Sequence, residues 1–298
     1  MLSVLIPVYN YNLTKLVSDI HKQLVDLTID FEIICIDDVS NKSIIETNQE
    51  IINLTFTSYL LSDKNNGIAV TRQLLTDKAK YRWILLLDAD VEIDNDNFIL
   101  NYLNALSSGN DFIFGGFAYK KQRPHDNYLL RWKYGKHYEA LSAEKRNKNP
   151  YKITIAANVL VKKVAYRSFN LNSIGKQYAM DYYFGALLSE NHSKVLHIDN
   201  QVYHLGIEKS IDYLKKKERA TETLLKLHQE KKIIVHSNDL LSTFVLFKKT
   251  GLNYVLVILF KILRPILRKN LIGSNPIIPL LQFYKIGYIC HLDWSNKA

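Results

Sequence analysis

The residues best placed to do chemistry are Asp88 and Asp90 in the stretch RWILLLDADVEID, residues 82–94. An apolar run leads directly into two carboxylates with Ala89 between them, and carboxylates are not left in a core without partners. As the chain leaves a strand and turns, one carboxylate can reach a divalent cation while the other accepts hydrogen bonds from a sugar hydroxyl. Oxygen ligands suit Mg²⁺ or Mn²⁺, ions that bridge to substrate phosphates rather than sit in all-protein cages. Asp is also a common turn former, so it is the position after a wholly apolar strand that favours the chemical reading.

Two more clusters have similar placement. In FEIICIDDVS, Asp37 and Asp38 follow an apolar run. An acceptor-only carboxylate there can bond a base N–H or ribose hydroxyls, and Asp38 or Ser40 could equally cap the next helix. NNGIAVTR sets Gly67 at a tight turn that opens a helix, with Arg72 one turn in, where it can bind phosphate or pair with a carboxylate. The chain contains neither a G-x-G-x-x-G nor a Walker A sequence, which argues against dinucleotide and P-loop chemistry.

These clusters need a scaffold that presents them together. The runs 2–8, 31–37, 56–61, 82–88 and 111–119 read as strands. Between the first two, Leu13, Leu16, Val17, Ile20, Leu24 and Leu27 share one helical face. Alternating strands and helices with continuously apolar strands predict an α/β fold, a mainly parallel central sheet flanked by helices. Ligands then bind beyond the carboxyl ends of the strands, where PVYN (7–10), DDVS, DKNNGIAVTR (63–72) and DAD all fall. Sheet character returns at 152–163 and 194–206, with a helix over 178–190. Residues 211–298 read as a helical, basic-amphipathic extension of a domain spanning 1–210, divided near residue 120.

The chain has 298 residues, of which 47% are hydrophobic, enough for a substantial core. The net charge of +10 predicts an anionic partner: a nucleotide phosphate, nucleic acid or a membrane face. Residues 120–150 hold nine Lys and Arg against three acids, an inserted basic segment suited to solvent, or to an anionic acceptor or a membrane-facing surface. Two cysteines, Cys35 and Cys290, make neither a disulfide framework nor a CxxC metal site, so a reducing, cytoplasmic setting is expected. The N-terminus lacks a basic n-region and reads as a strand rather than a signal. The longest apolar run, 254–260, is far below the ~20 residues of a spanning helix.

The ordered set SVLIPVYN, FEIICIDDVS, NNGIAVTR and WILLLDAD resembles the nucleotide-sugar half of inverting glycosyltransferases of family 2, which have the GT-A fold. The match is close over residues 1–120 and looser over 150–206. The resemblance implies transfer of a sugar from a nucleotide-diphosphate sugar, a UDP-sugar first, to a hydroxyl of a glycan or lipid-linked saccharide, in surface polysaccharide biosynthesis. It implies a nucleotide pocket lined by Pro7, Val8 and Tyr9, with Asp38 at the base and Arg72 near the uridine or phosphates. Asp88 would approach the ribose, Ala89 would complete the motif, and Asp90 would ligate the metal. Asn158 in AAN matches the segment beneath the acceptor site. The family's base is the aspartate of a Glu-Asp pair; Asp181 matches it, with Met180 in place of the glutamate. His204 in VYHLG matches the histidine that completes the metal's coordination, and His197 is its rival.

In LFKILRPILRK, Leu and Ile alternate with Lys261, Arg264, Arg268 and Lys269, a pattern that fits a helix lying on the inner face of the cell membrane, or an ordinary helix packed on the catalytic domain or at an oligomer contact. Two other functions compete. A sugar nucleotidyltransferase would carry a glycine-rich, arginine-containing N-terminal loop, which PVYNYN is not. A basic nucleic-acid or membrane-binding module would be expected to lose its strand-end acids, yet Asp38, Asp88, Asp90 and Asp181 are all present. Nucleic acid is therefore not an expected partner.

Overall fold

Leu2–Val8 is buried at every position, as expected of a strand flanked on both sides and covered on both faces. The computed structural model that follows from this chain describes residues 1–169 and 180–296, with the backbone alone for Met180. In order the elements are β1 (Leu2–Val8), α1 (Thr14–Asp26), β2 (Phe31–Asp37), α2 (Lys42–Asn48), β3 (Thr57–Leu61), α3 (Ile68–Lys78), β4 (Trp83–Leu87), β5 (Val91–Glu92) and α4 (Phe98–Ala105). They continue with β6 (Phe112–Phe114), β7 (Phe117–Ala118), α5 (Leu129–Tyr134), α6 (Ala143–Asn147), β8 (Asn158–Lys162), α7 (Lys163–Arg167), α8 (Met180–Glu190), β9 (Val195–His197) and β10 (Val202–His204). Four helices close the chain: α9 (Ser210–Gln229), α10 (Asp239–Thr250), α11 (Leu252–Ile272) and α12 (Ile278–Ser295). Of the helix expected over 178–190, positions 178 and 179 lie outside the described residues.

The chain divides into two compact units, one of Met1–Ala118, Leu141–Lys176 and His192–Gly206, the other of Tyr119–Ala140, Gln177–Asn191 and Ile207–Ala298. The first unit holds a seven-stranded sheet in the order β3-β2-β1-β4-β8-β6-β9 and a small sheet β5-β10-β7. β3, β2, β1 and β4 are mutually parallel, so their carboxyl ends share one edge. Within this mainly parallel sheet β8 runs antiparallel to both β4 and β6.

Helix α1 buries Leu16, Val17, Ile20 and Leu24, the face expected from their spacing. Its Gln23 ties the helix to the turn before α4: the amide nitrogen donates to the Asn95 carbonyl at 2.9 Å and the amide oxygen accepts from the Ile99 N–H at 3.0 Å.

Two strand expectations need correction. The run 111–119 is two strands in different sheets, broken at Gly115-Gly116, because the chain there crosses between sheets under a buried network. The Asn158 side chain donates to the carbonyls of Gly116 and Asn200, each at 2.9 Å, and accepts from Tyr102 Oη at 2.6 Å. Arg146, 3% exposed, donates to the Phe114, Gly115 and Ile198 carbonyls. The run 152–163 is strand only from Asn158, since turns occupy the residues before it.

The second unit is helical. Leu130, Tyr134, Tyr213, Leu214, Phe260, Leu267, Leu271, Leu281, Tyr284 and Tyr288 form its core. Helices α11 and α12 approach closely at Gly287, where a Cβ would lie 2.6 Å from Phe260 Cδ2. Two carboxylates of α9 are satisfied by tyrosines of α12: Tyr284 Oη donates to Glu218 at 2.5 Å and Tyr288 Oη to Glu222 at 2.6 Å. No single helix among the described residues is long and apolar enough to cross a membrane; α10 and α11 meet that test only as a pair bent by 114°.

Candidate active site

The site of the first unit is built on the carboxyl edge of β1, β2, β3 and β4. Asp38 follows β2, its N–H donating to the Val8 carbonyl at 2.8 Å. Backbone groups of successive strand residues point to opposite sides, so those of Val8 face β2 and those of Pro7 face β4. Register pairing between β1 and β4 ends at Leu5–Leu86, so the N–H that proline lacks falls where no ladder bond is needed. Pro7 and Val8 are buried inside the strand, and of the three residues expected to line the nucleotide pocket only Tyr9, 58% exposed, offers its side chain to solvent.

Asp38 is 5% exposed, and its two oxygens accept the backbone N–H groups of Asn66 and Gly67, each at 2.7 Å. Its position is that of an anchor for the loop between β3 and α3, rather than of a helix cap. Gly67, at φ 81 and ψ 158, holds a conformation open essentially to glycine alone and starts α3. Asp37 is fully buried and accepts from the Ser40 N–H and from Tyr59 Oη, each at 2.6 Å. The Asp-Asp pair therefore splits, with Asp37 fixing the 38–40 turn and Asp38 fixing the next loop.

Helix α3 brings Arg72 to the end of β4, where Nη2 lies 2.5 Å from Asp88 Oδ1. Their side chains are 11% and 25% exposed, enough burial for the pair to be mutually aligned while one edge stays open. Ala89 is buried. The Asp88 N–H donates to the Ala157 carbonyl at 3.2 Å, which ties the motif to the turn before β8. Asn158 itself is 1% exposed and spends its amide on the strand crossing described above, so it supports the floor of the site as a structural residue.

Asp90 meets His204. The short antiparallel ladder β5–β10 pairs Val91 with His204, and the Leu205 N–H donates to the Asp90 carbonyl at 2.8 Å. This puts Asp90 Oδ2 3.4 Å from His204 Nε2. Gly206 makes room for the carboxylate, since a Cβ there would stand 1.9 Å from Asp90 Oδ2. The imidazole also packs against Phe117, ring centroids 5.2 Å apart.

An oxygen and an imidazole nitrogen held together over a glycine fit a hard or borderline divalent cation. Among the described residues no group of three or more His, Cys, Asp or Glu could hold an ion. Asp90 and His204 would thus supply two ligands and leave the remaining positions to diphosphate oxygens and water, the usual Mg²⁺ arrangement.

His197, the rival histidine, is a structural residue. It is 2% exposed, with Nδ1 2.9 Å from Arg146 Nη1 and Nε2 2.9 Å from the Pro150 carbonyl. Those partners fix the tautomer protonated on Nε2, with Nδ1 accepting from the guanidinium. Burial, reinforced by the Arg146 charge, lowers its pKa to about 4, against the Pro150 hydrogen bond that works to raise it.

Tyr11, Gly206 and Arg146 are the residues that sequence reasoning missed. Burial, and then the charges of Asp90 and Glu92, raise the Tyr11 phenol above its ordinary range. Its signal was the repeated Tyr-Asn of PVYNYN; that of Gly206 was its position two residues after His204.

In the second unit, Asp181 is exposed in the first turn of α8. The same unit holds a buried ionic cluster. Arg131 Nη1 lies 2.9 Å from Glu139 Oε2, and Tyr119 Oη donates to the same oxygen. The Arg131 guanidinium stacks over the rings of Tyr119 and Tyr213 at 5.3 and 5.1 Å. Burial works to raise the Glu139 carboxyl, but the charges of Arg131 and Lys217 and the hydrogen bonds of Tyr119 and Arg131 outweigh it and hold it down at about 2.

The model of the family described as "Glycosyl transferase family 2" matches residues 3–169, more than half of the chain. The chain belongs to this family. Solved structures agree in fold. Staphylococcus aureus TarS 1–349 superposes with a TM-score of 0.53 at 14% identity, over 100% of this chain and 92% of that one. The same protein in complex with UDP-GlcNAc gives 0.50 at 16% identity, over 75% and 66%. The mannosyltransferase PcManGT from Pyrobaculum calidifontis, in complex with GDP-Man and Mn²⁺, gives 0.51 at 12% identity over 76% of this chain, which spans 64% of that protein's length. No curated protein matches the chain in sequence. The fold is thus the expected GT-A-type α/β arrangement with a helical C-terminal region.

Proposed function

We propose that this glycosyltransferase takes a sugar from a nucleotide-diphosphate sugar, a UDP-sugar first, and passes it with inversion to a hydroxyl of a glycan or lipid-linked saccharide. The observation that carries the proposal is the Asp90–His204 pair, 3.4 Å apart over Gly206 at the end of an apolar strand. In support, solved relatives of the same fold hold UDP-GlcNAc and GDP-Man, one of them with Mn²⁺.

In this reading Tyr9 offers a ring face to the base, and the loop anchored by Asp38 forms the wall beside it. Asp88, oriented by Arg72, accepts hydrogen bonds from ribose hydroxyls. Asp90 and His204 would hold the divalent cation, which when bound neutralises the diphosphate and makes it a better leaving group. We assign the base to Asp181 on the family resemblance: its carboxylate takes the proton from the acceptor hydroxyl as that oxygen bonds to the anomeric carbon. The bond from that carbon to the diphosphate oxygen breaks, and the electron pair leaves with the diphosphate.

A hydrolysis and transfer screen of nucleotide sugars, run with and without Mn²⁺, tests this reading. Mn²⁺-dependent turnover of one UDP-sugar is the expected result. Turnover of a sugar 1-phosphate with a nucleoside triphosphate, and of no nucleotide sugar, would replace it with a nucleotidyltransferase.

A further inference from the structure

Helix α11 has two apolar faces. One is buried in the second unit through Val257, Phe260, Leu267 and Leu271. The other is in solvent: Val255, Ile258, Leu259, Ile262 and Ile266 are 54%, 62%, 41%, 65% and 67% exposed. These positions recur at three- and four-residue steps, so they form one stripe about 16 Å long at 1.5 Å per residue. An exposed Leu is ordinary, but a continuous stripe of large aliphatic side chains marks an interaction surface.

The surroundings of the stripe identify its partner. The four charged residues of α11 are Lys261, Arg264, Arg268 and Lys269, with no acid among them. Arg264 and Arg268 turn toward Glu218 of α9, at 3.4 and 3.5 Å. Lys261 is exposed and flanks the stripe, and Lys269, also exposed, closes its C-terminal end. At the other end Tyr254 and Trp294 pack edge to face, centroids 5.2 Å apart, and both are about half exposed. Amphipathic aromatic rings of this kind sit at the boundary between headgroups and acyl chains. Over 207–298 as a whole, sixteen Lys and Arg face seven Asp and Glu.

We propose that the outer face of α11 is a docking surface for an anionic lipid bilayer, on which the helix lies in the plane of the interface. Its aliphatic stripe enters the acyl boundary, the Tyr254–Trp294 pair sits at headgroup level, and Lys261 and Lys269 reach the lipid phosphates. Helix α10 meets α11 at 114°, so the two cannot run on as one straight span, and an in-plane arrangement suits α11. A second copy of the chain is the weaker occupant, because self-pairing would join two α11 helices whose charges are all positive. The surface would hold the transferase where a lipid-linked acceptor resides, yet it does not depend on which donor the site takes.

Flotation of the full-length protein with vesicles tests the surface apart from catalysis. The probes are phosphatidylcholine vesicles with and without about one third phosphatidylglycerol, at low and high salt. The wild type is expected to float with the anionic vesicles and to be released by salt. Replacing Lys261→Gln and Lys269→Gln together should weaken partitioning about fivefold per charge. Ile258→Asp with Ile262→Asp should weaken it about tenfold or more, with donor binding unchanged. Both pairs are exposed, so folding is retained and is checked by thermal melting. A wild type that stays unbound at low salt would overturn the proposal. So would a double-Asp variant that floats like the wild type; if that variant also loses self-association on gel filtration, the face belongs to a second copy.

Discussion

Arg72 Nη2 lies 2.5 Å from Asp88 Oδ1, which couples the first turns of α3 to the end of β4. The contact holds the arginine's guanidinium against the first aspartate of the Asp-x-Asp motif. Arg72→Ala should weaken UDP binding by roughly tenfold to a hundredfold, the effect of one charge-assisted hydrogen bond of about 1.5–3 kcal/mol. Asp88→Asn should cost a similar amount, and the double variant little more than either alone. Calorimetric titration with UDP across this cycle measures the coupling; additive losses would mean that the two residues act separately.

Gly206 is the site's steric test. A Cβ there would stand 1.9 Å from Asp90 Oδ2, so Gly206→Ala must displace the carboxylate away from His204. The expected outcome is a fall in Mn²⁺ affinity of about tenfold or more with the melting temperature changed little. Manganese titration followed by electron paramagnetic resonance reads the affinity directly.

Asp181→Asn keeps the shape of the side chain and removes its basicity. On the assigned role, donor binding is unchanged while kcat for transfer falls by about 10²–10⁴. Full transfer activity in this variant would give the base to another residue.

His197 makes an acid-stability prediction. Its folded pKa is lowered to about 4 from an ordinary value of 6.5, so the unfolded chain binds the extra proton first. The stability it contributes is fully present above about pH 6.5 and is lost as pH falls toward 4, by up to about 3 kcal/mol. His197→Gln retains an acceptor for Arg146 and a donor for the Pro150 carbonyl but does not titrate. Urea unfolding between pH 7 and 4 should therefore show a flatter decline in the variant.

The buried Arg131–Glu139 pair should behave as a structural unit. Arg131→Ala leaves Glu139 buried without its main countercharge, and about 3–5 kcal/mol of stability is expected to be lost. Chemical denaturation of the variant, compared with Arg131→Ala/Glu139→Gln, separates the unpaired charge from the lost packing.

Much of this was written plainly in the chain. Strands buried on both faces, such as Leu2–Val8, must be continuously apolar, so the sheet and its polar ends were legible, as was the buried face of α1. The break at Gly115-Gly116 was not, because it depends on Asn158 and Arg146, which reach it from distant positions in sequence. The direction of β8 was hidden for a related reason: an apolar run specifies burial but not orientation. Asp90 and His204 are 114 residues apart, and only the resemblance linked them, since no local pattern encodes a ladder between β5 and β10. The two roles within Asp37-Asp38 were illegible too, because alternate side chains of an extended segment face different loops.

If Asp90 and His204 hold the cation as proposed, nucleotide binding depends on a divalent metal through both residues. Calorimetric titration of UDP into the wild type, Asp90→Ala and His204→Ala, each with Mn²⁺ and with EDTA, measures it most directly. Tight binding is expected to the wild type only with Mn²⁺, and weak, metal-insensitive binding to both variants. Equal UDP affinity for the wild type with Mn²⁺ and with EDTA, unchanged in the variants, would contradict it.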